Sequence, residues 1–310
     1  MGGKEALRGF IYQGFATVLE ALCHEGWDRI YIELDSKNDK VDIALEANLV
    51  IIKSIQVKST INIFKKIESF PPNEIKSEEE AEICLSLTDH FKDRKLKEHL
   101  DWNRDIYEKL ESFLRINTDK KRAYQLLWST HCSIAFAAGR ILNSKEGINI
   151  FPVQKTATHG TELWDVKLSP GREYPKWKIS DSGPVENKYD TALILNVTRN
   201  IHNDVINYVE ESNIPVGRLI DCTLEENGAT NFSVQDGTHA SLLANSIYDA
   251  IGGRNMAERR AVLHIFAAAP NALMFFLGQN SMGFGKCILY EYDFEQRNSC
   301  TYSPSFYFTN

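Results

Sequence analysis

The chain of 310 residues is short of the features that mark most specialised protein classes. No apolar run approaches the ~18 residues a membrane span needs. The best stretch, HIFAAAPNALMFFLG, is broken by Pro270. No CxxC pair occurs, and the six cysteines (Cys23, Cys84, Cys132, Cys222, Cys287 and Cys300) are scattered, several inside apolar runs. That distribution suits reduced, buried thiols in a cytoplasmic protein and does not suit zinc. The opening MGGKEALRGF lacks the long apolar core of a secretory signal, and Ala6 stands where a myristoylation signal wants Ser or Thr. No membrane partner is therefore expected. Neither GxGxxG nor GxxxxGK[ST] is present, which excludes the usual dinucleotide-binding and P-loop signatures. Positive charge is scarce as well. The net charge is -7, so any nucleic-acid contact has to be local.

What is present has the makings of two α/β domains. Hydrophobic residues make up 43% of the chain and aromatics 11%, enough for real cores. EALRGFIYQGFATVLEALCHEGW repeats apolar residues at helical spacing and stops at Gly26. DRIYIELD, VDIALEA and NLVIIKSIQVKST read as three strands. PPNEIKSEEEAE, residues 71–82, is the best linker candidate in this half. Residues 89–117 mix charge with apolar positions at helical spacing and predict one or two long helices. Beyond residue 118, LLWSTHCSIAFAAGRIL reads as an apolar helix and GINIFPVQ as a strand; residues 160–188 read as hairpins or loops. From Tyr189 onward, strand and helix alternate. The strands there are apolar throughout, as parallel strands covered on both faces should be. The expectation is a small α/β domain over residues 1–118, with a helical connector at about 83–117, followed by a doubly wound α/β domain over 119–310.

Strand alternation puts Val41, Ile43 and Leu45 on one face and Asp42 and Glu46 on the other. Gln56 and Lys58 project together from the next strand. A hairpin through residues 46–49 would bring Asp42 near both, with Glu33 within reach. A sheet with one solvated face explains the same pattern. Carboxylates, an amide and an ammonium also suit phosphodiester hydrolysis. Carboxylates hold Mg²⁺, the ion lowers the pKa of a bound water, and the lysine orients that water or stabilises charge on the phosphate. Asp42, Glu33 and Gln56 are the candidate metal ligands. Residues 1–118 carry 17 Lys/Arg against 22 Asp/Glu, but Lys53, Lys58, Lys65 and Lys66 gather positive charge near the candidate site.

In the second half, an open parallel sheet binds ligands outside the carboxyl ends of its strands. Those ends read NVTRNIHND and AAAPNAL. Thr198, Arg199 and Asn200 offer a hydroxyl, a phosphate-binding fork and an amide. The small run ending at Ala268 and Ala269, then Pro270 and Asn271, lets a ligand approach a helix N-terminus closely. Trp164 and Trp177 are candidate base-stacking platforms, although a tryptophan in apolar surroundings is more often core. His239 reads simply as a residue near a helix start.

GFIYQGFATVLEAL, IELD, VDIALE and QVKST together resemble the N-terminal domain of SAVED-fused endonuclease effectors of bacterial antiphage defence, which belong to the PD-(D/E)xK restriction-endonuclease-like group. By position, Asp42, Gln56 and Lys58 match that nuclease core, Glu33 matches more loosely, and Tyr12 and Gln13 match the signature of the first helix. STHCSIAFAAGRILN, TELWDV, VLHIFAAAPNALMFFLGQ, CILYEYDF and YSPSFYF resemble a SAVED domain over nearly all of residues 119–310. SAVED domains are related to CARF domains and sense cyclic oligonucleotides. The resemblance implies a restriction-endonuclease-like domain followed by a CARF-like, Rossmann-like sensor. It further implies a cyclic oligonucleotide ligand (a cyclic trinucleotide favoured), ligand-induced homo-oligomerisation and Mg²⁺-dependent cleavage of double-stranded DNA. Two alternatives stay open: a sensor whose N-terminal domain is a degenerate nuclease used for assembly, and an enzyme acting on another phosphodiester such as RNA.

Overall fold

The computed structural model describes residues 17–18, 21, 26–35, 40–55, 62–70, 83–156, 160–167, 172–225, 228–293 and 302–309. Compactness divides the chain into residues 1–62 and 63–310. The division falls well before residue 118, where the sequence reading drew it.

In the first unit, β1 (Arg29–Asp35), β2 (Lys40–Ala47) and β3 (Val50–Ile55) form an antiparallel meander in the order β1-β2-β3. The two-residue turn between β2 and β3 has Asn48 and Leu49 in the left-handed region, at φ 52° and 65°. That backbone twist suits the right-handed twist of paired strands. Asp28 supports the turn by accepting the Asn48 amide at 2.7 Å. Ile43, Ala44 and Leu45 are all buried, so β2 is covered on both faces near its middle.

The second unit contains two sheets. The first has the order β10-β9-β8-β4-β5, from β4 (Asn62–Glu68), β5 (Ile83–Ser86), β8 (Ala123–Ser129), β9 (Asn149–Thr156) and β10 (Gly160–Leu163). Its pairs β4–β5 and β8–β9 are parallel. The second has the order β11-β13-β12-β14-β15-β16, from β11 (Trp177–Asp181), β12 (Asp190–Asn196), β13 (Val216–Leu224), β14 (Leu263–Ala268), β15 (Cys287–Tyr292) and β16 (Tyr302–Phe308). Its four inner strands are parallel, and an antiparallel strand closes each edge. This is the expected alternation of parallel strands and helices, with the closing strand β16 and a short helix at Met256–Arg260 not anticipated.

The segment joining β5 to β8 differs from the long helices expected over 89–117. A 3-10 turn at Thr88–His90 leads into a small hairpin of β6 (Phe91–Lys92) and β7 (Lys95–Leu96). A π-helical turn at Trp102–Tyr107 then runs into α1 (Glu108–Asn117). Asp93 and Arg94, both left-handed, make the hairpin turn that breaks the helical pattern. The helix expected over LLWSTHCSIAFAAGRIL is also two elements, the end of β8 and then α2 (Cys132–Ile141). A buried strand and a buried helix are equally apolar, so composition does not separate them. His131, at φ -61° and ψ 148°, makes the break.

The remaining helices are α3 (His202–Glu211), α4 (Gly237–Gly252), α5 (Met256–Arg260) and α6 (Asn271–Gln279). One core cluster joins side chains of both sheets to α2 and α6, with Phe136, Phe275 and Leu193 fully buried in it. The two helices touch backbone to backbone. A Cβ on Gly139 would lie 2.0 Å from the Phe275 carbonyl oxygen, and one on Gly278 would lie 2.0 Å from that of Phe136. No side chain fits at either place.

Two predictions follow from this core. Gly278→Ala should destabilise the protein by about 3 kcal/mol, the upper end of the usual overpacking cost. Denaturant titration checks it, and a loss under about 1 kcal/mol would contradict the close approach. The second concerns pH. His131, His239 and His264 are buried, and burial holds each below the ordinary value of 6.5. As pH falls through that value the unfolded chain takes up protons that the native state resists, so stability is full above it and declines below it. Denaturant midpoints measured from about pH 7.5 to about pH 5 should fall steadily.

Candidate functional site

The carboxyl ends of β12 and β14 are fastened to one another. Val197 N and Thr198 N both donate to the Ala268 carbonyl, at 3.1 and 2.8 Å. The turn after β12 is shaped by buried Asn196, whose Oδ1 accepts from Ile201 N at 2.7 Å and whose Nδ2 donates to Asp221 Oδ1 at 2.5 Å. Asp221 also pairs with His202 Nδ1, fixing the first turn of α3. Asn200 accepts the His202 amide at 3.0 Å, so its side-chain oxygen serves the turn. Arg199 lies over the Tyr292 ring at 4.1 Å, and its guanidinium is 3.8 Å from Asp204. Its side chain is 45% exposed, which leaves donors facing solvent at the rim.

At the end of β14, Ala267 and Ala268 are half-buried, and Pro270 adopts the extended conformation that opens α6. Asn271 Nδ2 donates to the Thr130 carbonyl at 2.9 Å. Ala272 N donates to Gln154 Oε1 at 3.2 Å, and Cys132 Sγ donates to the Ala269 carbonyl at 3.4 Å. These bonds bring the ends of β8, β9, β12 and β14 into one region, drawn from both sheets.

The two helix N-termini there are treated differently. Ser133 N, in the first turn of α2, donates to Glu291 Oε1 at 2.7 Å, so a carboxylate offsets that end of the dipole. The first turn of α6 contains no acidic residue, and its Ala272 amide meets only a neutral side-chain amide. With Arg199 on the neighbouring turn, this arrangement favours an anion at the α6 side.

Of the residues singled out in the sequence, Thr198, Arg199, Asn200, Ala268, Pro270 and Asn271 come together here. Trp164 does not. It is 3% exposed and part of the core cluster, so its ring offers no stacking face. Trp177 is likewise buried and donates Nε1 to the Leu243 carbonyl at 2.9 Å. Buried His239 bonds the Pro175 carbonyl at 2.9 Å, in keeping with a structural role. Gln154, Thr130 and Glu291 were not singled out. Only their position at strand ends marks them, and one of those strands, β8, is visible only once it is separated from α2.

At the other candidate site, the pairing of Ile32 with Ile43 and Leu34 with Val41 sets positions 33 and 42 opposite one another. The expected hairpin through residues 46–49 forms, with Ile43 opposite Ile55. The side chains of Glu33, Asp42 and Lys53, and residues Tyr12, Gln13, Gln56 and Lys58 altogether, lie outside the described residues. Lys65 and Lys66 do not supply the expected free positive charge. Lys65 is 2% exposed and lies over the Tyr124 ring at 5.1 Å, while Lys66 is ion-paired with Glu68. Among the described residues no cluster of His, Cys, Asp or Glu has metal-binding geometry, and no helix is long and apolar enough to cross a membrane.

Residues 106–308 match the model of the SMODS-associated and fused to various effectors sensor domain, SAVED. A curated relative, CD-NTase-associated protein 4 of Enterobacter hormaechei, is 35% identical over 225 residues, 73% of this chain and 44% of that protein. Among solved structures, the Acinetobacter baumannii Cap4 SAVED/CARF-domain containing receptor with a cyclic trinucleotide aligns at TM-score 0.58 and 13% identity, over 80% of this chain and 52% of that one. The Moraxella osloensis Cap4 receptor aligns at TM-score 0.51 and 15% identity, over 79% and 49%. These structures share the fold, and the chain spans about half the length of the relatives it matches.

Glu291→Gln should cost about 1 kcal/mol of stability, because it weakens the charge-assisted cap on α2. Thermal or denaturant unfolding measures this, and an unchanged or higher midpoint would remove Glu291 from that role.

Proposed function

Because the chain belongs to the SAVED sensor family, we propose that it is an antiphage effector of cyclic-oligonucleotide (CBASS) signalling, whose second unit binds a cyclic oligonucleotide across the ends of β12 and β14. A cyclic trinucleotide is the favoured ligand. Binding activates Mg²⁺-dependent cleavage of double-stranded DNA by the first unit, through a ligand-induced homo-oligomer in the cytoplasm. The observation that carries the sensor reading is the joined strand end itself. Arg199 and the acid-free N-terminus of α6 stand together where a phosphodiester would need cations and donors. Arg199 offers a planar fork that matches two phosphate oxygens. Thr198 supplies a hydroxyl, and the small Ala268 keeps the approach to the backbone open.

Nuclease chemistry rests on Glu33, Asp42, Gln56 and Lys58. Positions directly opposite on antiparallel strands have Cβ atoms about 4.5–5.5 Å apart, which lets two carboxylates share one cation. Positions 33 and 42 meet that condition by register. A Mg²⁺ held there would lower the pKa of a bound water and polarise the phosphate. Lys58 would orient the attacking water or stabilise the charge that develops on the phosphate oxygens, and Gln56 would contribute a carbonyl oxygen. The engagement of Lys65 and Lys66 away from solvent supports a second reading. In it, the first unit is a non-catalytic assembly element and the protein acts as a sensor alone.

Calorimetric titration with a panel of cyclic di- and trinucleotides, followed by incubation with plasmid and Mg²⁺, separates the readings. Arg199→Ala should weaken binding by about 10- to 100-fold, the size of a charge-assisted hydrogen bond. Asp42→Ala should leave affinity unchanged and abolish cleavage. Ligand that binds without any DNA or RNA cutting favours the sensor alone. Full affinity in Arg199→Ala would remove the strand-end site.

A further inference from the structure

A separate corner of the second unit, at the carboxyl end of α4, holds charge that its surroundings do not balance. Arg254 follows α4 and is 3% exposed. Its Nε donates to the Ile251 carbonyl at 3.1 Å and its Nη2 to the Phe284 carbonyl at 2.7 Å. Its Nη1 is buried and has no partner among the described residues. The carboxylate of Glu258 is already occupied, by Arg218 Nε at 2.7 Å and by Asn255 N at 2.7 Å. Burial holds the Arg254 guanidinium down to about 10, Glu258 opposes that shift, and Arg259 and Arg218 add to it.

Arg259 lies across the same place, donating Nε to the Arg254 carbonyl at 2.9 Å and Nη2 to the Gly252 carbonyl. Both arginines line a cavity of about 230 Å³ together with Tyr248, Gly252, Gly283 and Gly285. The glycines keep it open. A Cβ on Gly283 would come within 2.8 Å of the Tyr248 ring, and Gly285 sits at φ +77° with its Cβ position 3.0 Å from the Arg259 carbonyl. Capping of α4 explains the bonds to Ile251 and Gly252. It does not explain a cavity lined by both arginines, with Arg254 Nη1 left unpartnered and closed off from solvent beside it, since a buried cation without a counter-ion is unfavourable.

We propose that this cavity binds one phosphate-type oxyanion against Arg259, in the field of the buried Arg254 guanidinium behind its wall, at a site independent of the strand ends. The volume lies below the ~300 Å³ at which pockets for drug-sized ligands begin, so it suits a tetrahedral anion and excludes a nucleoside. A groove of about 500 Å³ adjoins it through Tyr248 and Gly283. The phosphate is therefore either free or the end of a nucleotide whose remainder lies in that groove.

Thermal unfolding of the full chain at neutral pH tests the site, with inorganic phosphate, adenosine monophosphate, and sodium chloride at matched ionic strength. Phosphate should raise the midpoint saturably and beyond the effect of chloride. The apparent affinity should fall tenfold or more in Arg259→Gln and in Gly252→Met. The second variant keeps both guanidiniums and adds a side chain where a Cβ meets nothing within 4 Å, so it carries the test if Arg259→Gln folds poorly. Phosphate also stabilises proteins by exclusion from their surface. An identical phosphate response in the parent and both variants would therefore overturn the proposal. A shift with adenosine monophosphate at concentrations where phosphate gives none assigns the anion to a nucleotide, and equal responses assign it to the free ion. Cyclic-oligonucleotide affinity should be unchanged in both variants, which separates this site from the one at the strand ends.

Discussion

The reciprocal contact of Gly139 with the Phe275 carbonyl and Gly278 with the Phe136 carbonyl sets the geometry of the sensor unit. Each helix supplies a phenylalanine and, three residues later, the glycine that admits the partner's backbone. This fixes α2 and α6 side by side at a spacing that no side chain would allow. Bonds at both ends complete the arrangement. Cys132 and Asn271 reach across at the N-termini, and Gln279 Nε2 meets the Leu142 carbonyl at 3.0 Å near the other end. Each helix follows a strand of a different sheet, so pinning the helices together brings the carboxyl ends of both sheets to one surface. The strand-end site is a consequence of that contact.

The sequence made part of this plain. Strands β12 to β15 and the helices α3, α4 and α6 between them carry long apolar runs or an amphipathic period, and their local pattern agrees with their tertiary place. The strand-end position of Thr198, Arg199 and the run from Ala268 to Asn271 was therefore legible from local pattern alone. The first sheet was harder. β8 and α2 are nearly continuous apolar sequence, and only the extended conformation at His131 divides them. β4 and β5 are short, and their place in a sheet comes from long-range pairing that no local pattern records. Lys65 shows the same limit: an isolated lysine in a basic run reads as surface, yet it lies buried over Tyr124. In the first unit, alternation and turn spacing sufficed to pair β2 with β3 in the expected hairpin.

Electrostatics adds a direction to the strand-end site that composition conceals. A chain with net charge -7 has little cation to spare, and Arg199 is placed with care: stacked on Tyr292, near Asp204, and half-exposed. Glu291 neutralises the start of α2, whereas the start of α6 meets Gln154. Two helices related by a common packing motif thus present unequal potentials to the same surface. An anionic ligand would be drawn toward α6 and Arg199, and the α2 side would be left for neutral contacts.

That α2 side is where the surface connects to the rest of the chain. His131, between β8 and α2, is bonded at both ring nitrogens: Nε2 donates to the Arg94 carbonyl at 2.7 Å, and Nδ1 bonds Ser69 Oγ at 2.7 Å. Ser69 also bonds Thr130 Oγ1 at 2.9 Å and accepts the His131 amide at 3.1 Å. Phe91 stacks on the imidazole, and Trp102 meets it edge-on. The turn whose Thr130 carbonyl receives Asn271 is therefore bonded to the end of β4 and the β6–β7 hairpin, and it packs against Trp102 at the start of the π-helical turn. These are the segments through which the chain passes from the first unit into the sensor. A buried polar network whose members are satisfied rigidifies the segments it joins. Displacing the Thr130–His131 turn would break or strain its bonds to Ser69 and the Arg94 carbonyl. The polar groups at the strand ends and those at the entry to the sensor form one hydrogen-bonded system.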